Sequence, residues 1–142
     1  MSFDLAVKNN DLSINPDGSL STVRDNYKLA QDVIKILITP MGSNRFSRWY
    51  GSSLSAEFVG SNLPISIVQT EAERSIQNSL SNLIVLQNEQ AKNQYVSAGE
   101  TIAAIREVIV IQNPYDPRQY QIMVSILTRK LNVVEETFTL TV

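Results

Sequence analysis

The spacing of hydrophobic and polar positions changes along the chain, and each change predicts an element. Asp11–Ile14 (DLSI) alternates, Asn15–Gly18 (NPDG) supplies Pro, Asp and a conformationally permissive Gly, and Ser19–Val23 (SLSTV) alternates again. That order predicts an N-terminal β-hairpin or meander. Leu29, Val33, Ile36 and Leu37 then fall at helical spacing, with Asp25 as the expected cap and Thr39, Pro40 and Gly42 as the stop. Residues 54–60 (LSAEFVG) read as a short helix closed by Gly60. Asn62 and Pro64 open a longer helix. Its Ile65, Val68, Ala72, Ile76, Leu80 and Leu83 step by three or four along one face, and Gln69, Glu73, Gln77 and Ser81 furnish the other. So short a stripe predicts packing on the protein's own sheet rather than a coiled-coil seam.

Residues 82–98 fit three readings: the end of that helix, an exposed loop, or a second helix. Ser97 and Glu100 have capping-box spacing and predict a short helix through Ile102 and Ile105. The last third is β. Glu107–Gln112 reads as a strand, and Asn113–Pro117 (NPYDP) as a turn. In QYQIMVSILT, Tyr120, Ile122, Val124 and Ile126 alternate with the other set. After a turn near RKLN, ETFTLTV sets Phe138, Leu140 and Val142 against threonines. These elements predict an α+β fold: an N-terminal β-hairpin, two to four helices, and a three-stranded antiparallel β-meander packed on them.

Composition narrows the function classes. A chain of 142 residues, 43% hydrophobic and 18% charged, predicts one folded domain over residues 1–142 rather than disorder. A net charge of −2 gives no global attraction to nucleic acid or an anionic membrane. The absence of Cys and His removes disulfides, thiol nucleophiles, Cys/His zinc sites and histidine catalysis. Residues 1–7 lack the basic and apolar regions of a signal peptide, and apolar runs such as Val108–Ile111 are too short for a membrane span.

Candidate chemistry is sparse. Asp11, Asn15 and Asp17 lack the spaced acids and closing Glu of a calcium loop, so a turn is expected. No phosphate-binding glycine pattern or serine elbow occurs. A glycosidase pair would come from Glu57, Glu71, Glu73, Glu100 and Glu107, of which Glu71 and Glu73 simply furnish a polar helix face. No cofactor, metal or catalytic residue is expected. Residues 40–54 (PMGSNRFSRWYGSSL) hold two arginines, three aromatics and two glycines in a chain with one Trp. Arg45, Arg48, Phe46, Trp49 and Tyr50 could stack on and neutralise a single nucleic-acid strand. Without a wider basic surface, the favoured reading is a loop that tucks Trp49 and Tyr50 over the core, relieved by Gly42 and Gly51.

The order of these elements carries a resemblance. Leu29-Ala30-Gln31, Thr39–Gly42, Tyr50–Leu54 and Val59-Gly60, followed by a long helix and a closing meander, resemble the baseplate wedge proteins of contractile phage tails. That tail-sheath initiator family includes the lysozyme-like baseplate component of type VI secretion systems. The resemblance runs from about residue 3 to the end and implies a non-enzymatic virion tail baseplate component, assembled in the host cytoplasm. Implied partners are the tail sheath protein, baseplate wedge proteins and the tail tube or hub, with several copies in a sixfold baseplate and no nucleic acid or membrane partner. The family's Glu-Pro-Arg motif falls on GETIAAIREVIVI, where Glu100 matches the Glu but Thr101 and Ile102 replace Pro and Arg. Arg106 lies six residues on as a substitute reached by a different route. Glu100 therefore carries two readings, a partner contact and a helix-start carboxylate. Arg45, Arg48, Trp49 and Tyr50 would contact wedge or tube alongside Glu100, and Phe138, Leu140 and Val142 the sheath, by strand addition to a β-sheet. Another tail connector or tube-end protein is the alternative; a glycan hydrolase or single-strand binder is less favoured.

Overall fold

The computed structural model describes residues 2–54, 58 and 62–141. It has the expected α+β architecture: short N-terminal strand pairs, two helices, and a C-terminal sheet. The N-terminal strands are β1 (Asp4–Leu5), β2 (Val7–Lys8), β3 (Asp11–Leu12) and β4 (Thr22–Val23), with β1 paired to β4 and β2 to β3. The β2–β3 hairpin turns on Asn9 and Asn10, both at positive φ (51° and 64°), a geometry that Asn tolerates best among residues with a side chain. The turn at Asn15–Gly18 is present: Gly18 N–H donates to the Asn15 carbonyl at 2.9 Å, and Ile14 bridges Leu20. Asp17 spends its carboxylate on the Ser19 hydroxyl and amide, which hold its pKa below the usual value.

Helix α1 spans Asp25–Ile38 and buries Leu29, Val33, Ile36 and Leu37. Asp25 does not cap it. The N-cap is Arg24, with no side-chain cap bond, and Asp25 sits at φ 50°, where its carboxylate accepts the Ser97 hydroxyl. Thr39 ends the helix by donating its hydroxyl to the Lys35 carbonyl at 2.6 Å. The short helix expected at 54–60 lies outside the described residues except for Leu54 and Phe58, both helical and fully packed in the core.

Helix α2 runs from Ile65 to Asn93, so most of residues 82–98 is the end of the long helix. Val68, Ala72, Ile76, Leu80 and Leu83 are buried, but Ile65 is exposed. Gln69 already meets Val110, near the end of the adjacent strand, so the first turn overhangs the sheet.

Ser97–Glu100 forms a turn and not a helix. The capping-box bond exists, with Ser97 N–H donating to Glu100 Oε1 at 2.7 Å, yet the chain extends into a strand at Ile102. Strand β5 spans Ile102–Gln112, starting well before the expected Glu107; β6 is Gln119–Thr128 and β7 is Val133–Thr141. They form an antiparallel sheet in the order β5-β6-β7. Tyr120, Ile122, Val124 and Ile126 turn one face onto the helices, completing a core with Leu29, Ile36, Phe58, Ile76 and Leu80. Helix α1 packs against β7 and α2 against β5.

Candidate functional site

The loop after α1 is built around Gly51. Its φ is 120°, and a Cβ there would lie 2.5 Å from the Thr39 carbonyl oxygen, a distance no side chain tolerates. Ser52 N–H donates to that same carbonyl, Ser52 Oγ–H to the Leu37 carbonyl at 2.6 Å, and Ser79 Oγ–H to the Gly51 carbonyl. The Gly-Ser pair thus clamps the end of α1 to α2. Asn44 accepts the backbone N–H groups of Phe46 and Ser47, rounding the tip. Tyr50 packs against the core, as expected, and Trp49 meets it edge-on at 6.5 Å. Trp49, however, stays substantially exposed, and Phe46 is 100% exposed between the exposed Arg45 and Arg48. The loop is a structural turn below and a presented aromatic-basic tip above.

Glu100 does not share that surface. It is 1% exposed; its Oε2 accepts no hydrogen bond and lies 3.8 Å from Lys28 Nζ, which also holds Asp32 at 2.8 Å. A buried carboxylate facing Lys28 cannot meet a partner's side chain at the surface. Glu100 meets α1 at Lys28 while the loop meets it at Leu37 and Thr39, about 15 Å along the helix. Arg106 is exposed and is the extra residue of a β-bulge between Ile105 and Glu107, so it points to solvent and does not replace an Arg beside Glu100.

Tyr50 is the loop residue that reaches towards this charged cluster. A cavity of about 460 Å³ is lined by Asp4, Lys28, Asp32, Tyr50, Gln87 and Gln90, among others. Burial works to raise the Asp4 pKa, but the hydrogen bond and charge of Lys35 outweigh it and hold the acid below its ordinary value. Burial likewise pulls Lys35 down, and Asp4 and Asp32 more than restore it, leaving it above its ordinary value. Burial pushes the Tyr50 phenol up.

The remaining carboxylates are scattered. Glu71 is held by Arg74 at 2.6 Å and lies about 24 Å along α2 from Gln87, which bonds the Glu100 carbonyl. Glu107 is about 16 Å along β5 from Ile102. Glu71 and Glu73 are two apart on a helix and face different directions. Glycosidase pairs stand about 5–10 Å apart. Glu57 lies outside the described residues. Among the described residues no group of three His, Cys, Asp or Glu could hold a metal ion, and no helix is long and apolar enough to cross a membrane.

The two edges of the sheet differ in kind. On β5, irregularities follow Ile102 and Ile105, and α2 covers the edge: Gln87 accepts the Ile102 N–H at 3.0 Å and Gln69 donates to the Val110 carbonyl at 3.0 Å. β7 pairs with β6 without a register break. Thr128 N–H donates to the Asn132 carbonyl at 2.9 Å, which sets the phase of that ladder. Val134, Glu136, Phe138 and Leu140 therefore bond inward to β6, and Glu135, Thr137, Thr139 and Thr141 turn their N–H and C=O groups to the open edge. Phe138 and Leu140, expected as sheath contacts, instead lie half-buried against the core with their backbone bonded to β6; Val142 lies outside the described residues. Glu136 shares their face, and no sequence reading singled it out. The signal was a charge in an otherwise apolar alternation, Val134-Glu136-Phe138-Leu140.

No family model and no curated protein matches the chain in sequence. Among solved structures, a candidate tail lysozyme from Geobacter sulfurreducens superposes with a TM-score of 0.59 at 11% identity, covering 80% of this chain and 87% of that one. At that identity the likeness is one of fold, and the chain shares the fold of this tail-lysozyme structure.

Proposed function

We propose that the chain is a non-enzymatic component of a contractile-tail baseplate that joins the wedge and tube region to the first sheath ring. It starts sheath assembly by adding a sheath strand to the edge of β7. The observation that carries this reading is the contrast between edges: β5 is bulged and covered, whereas β7 runs nine residues, Val133–Thr141, with one side unpaired among the described residues. An open, regular edge is an aggregation hazard unless a partner covers it, and strand addition supplies that cover through backbone hydrogen bonds. The tail setting is supported by the fold likeness to the Geobacter protein and by the motif order from Thr39 to Leu54. The loop tip at Arg45, Phe46, Arg48 and Trp49 forms the second contact, with acidic and apolar groups of a wedge protein. Although the Geobacter protein is described as a lysozyme, the spread of Glu71, Glu100 and Glu107 supports a scaffold rather than a glycan hydrolase.

The test is capture of the sheath protein from the same tail cluster, using the wild-type chain and Thr137→Pro. The Thr137 N–H faces the open edge, so proline removes a donor there without breaking a bond to β6. Sheath captured by wild type and lost by the folded variant is the expected result. Equal sheath capture by both would end the strand-addition reading. Capture of tube or wedge proteins with no sheath would replace it with a tail-connector role.

A further inference from the structure

Helix α1 is wider than the sheet it covers. Its core stripe, Leu29, Val33, Ile36 and Leu37, is buried, but a second stripe, Tyr27, Ala30, Ile34 and Ile38, projects towards the β7 side. Tyr27 is 78% and Ile38 58% exposed, and the groove beneath them, about 380 Å³, has Glu136 on the sheet side and is lined as well by Val7, Asn9 and Asn10 of the β2–β3 hairpin and by Val23. A strand lying beside β7 would slide under this overhang and bury it, as β7 itself is buried by the first stripe.

Glu136 is the irregularity in that groove. It sits on the inward face between Val134 and Phe138 and makes no ion pair among the described residues. Lys35 lines the same groove, but its ammonium is taken by Asp4 and by Asp32 at 3.1 Å. Covering an unpaired carboxylate with an apolar strand would bury a charge without a counter-charge, which is strongly unfavourable. Because the backbone of Glu136 bonds inward to β6, an antiparallel newcomer meets it at a non-hydrogen-bonded position. There, opposing Cα atoms approach to about 4.5 Å and side chains are closest.

Building on strand addition at β7, we infer that the edge selects an antiparallel segment whose inward-facing residues run apolar-basic-apolar. Its Lys or Arg lies opposite Glu136, and its flanking apolar side chains lie under Ile34 and Ile38. The carboxylate admits the matching strand and repels one that carries an acid or a plain apolar residue in that place. It also discourages a second β7 from adding to the first, since full antiparallel overlap of two Val133–Thr141 strands would set Glu136 against Phe138 of the copy, with no counter-charge.

Three labelled nonapeptides test this, identical except for Lys, Gln or Glu at the central inward position between two valines, with threonines on the outer face. Their dissociation constants are measured by fluorescence anisotropy against the full chain. The Lys peptide should bind about tenfold more tightly than the Glu peptide. Glu136→Gln should erase the preference, and Glu136→Lys should reverse it. Equal affinity for all three peptides overturns the charge rule and leaves strand addition standing. Failure of every peptide to bind overturns both. Preference retained in Glu136→Gln shows that another group reads the charge and also overturns the inference.

Discussion

Gly51 shows how one residue can hold a junction. Its left-handed backbone lets Thr39, Ser52 and Ser79 exchange hydrogen bonds across the α1–α2 junction. Gly51→Ala should cost about 3 kcal/mol, read from denaturant unfolding, because both the backbone region and the clash with Thr39 oppose the new Cβ. At Asp4 the effect is electrostatic. Its carboxylate ties β1 to Lys35 of α1, and its folded pKa lies below the ordinary 3.8. A depressed acid stabilises the fold above its unfolded pKa, and that contribution disappears as pH falls through the lowered folded value. Because both side chains are about a third or more exposed, Asp4→Asn should cost only about 0.5–1 kcal/mol at neutral pH. Melting curves of the two proteins should converge as the pH is taken below 3.8. Glycine and proline positions were legible in the sequence because their backbone constraints are local. The burial of Glu100 was not, since it depends on Lys28 arriving from another element.

At the scale of elements, α2 acts as a cover for β5. Gln87, buried in the helix, bonds both the Glu100 carbonyl at 2.7 Å and the Ile102 N–H at 3.0 Å. Gln87→Leu would leave both backbone groups buried and unpaired and should lower stability by about 2–4 kcal/mol in chemical denaturation. The same contacts explain why Ser97–Glu100 does not begin a helix. Local capping chemistry favours one, but pairing of Ile102 with Thr128 and the Gln87 bonds draw the chain into the sheet. Periodicity marked α1, α2, β6 and β7 well because each buries one continuous face. It missed β1 and β2, each of which is only two residues long. Their evidence lay in Asn9 and Asn10, a pair suited to a tight hairpin turn.

For the whole molecule, the loop leaves the C-terminal end of α1, whose Ile38 also lines the groove beside β7. Replacing Phe46 with Ser should leave stability within about 0.5 kcal/mol, since the ring is fully exposed, yet weaken capture of a wedge protein several-fold. Calorimetry and a wedge pull-down would check the two halves of that prediction. If stability fell and capture did not, the loop would be a packing element alone.

By itself the amino-acid sequence determined the fold class, the stripes of α1 and α2, the turns at Gly18 and Gly51, and the meander. All of these follow from backbone preference and from the period of side chains along a single element. Tertiary structure decided which edge stays open, which carboxylates are buried, and which residues share a surface. Edge cover depends on where Gln69 and Gln87 of α2 land, and the isolation of Glu136 depends on Lys35 already being held by Asp4 and Asp32. Such relations join residues far apart in the chain, and no local pattern encodes them.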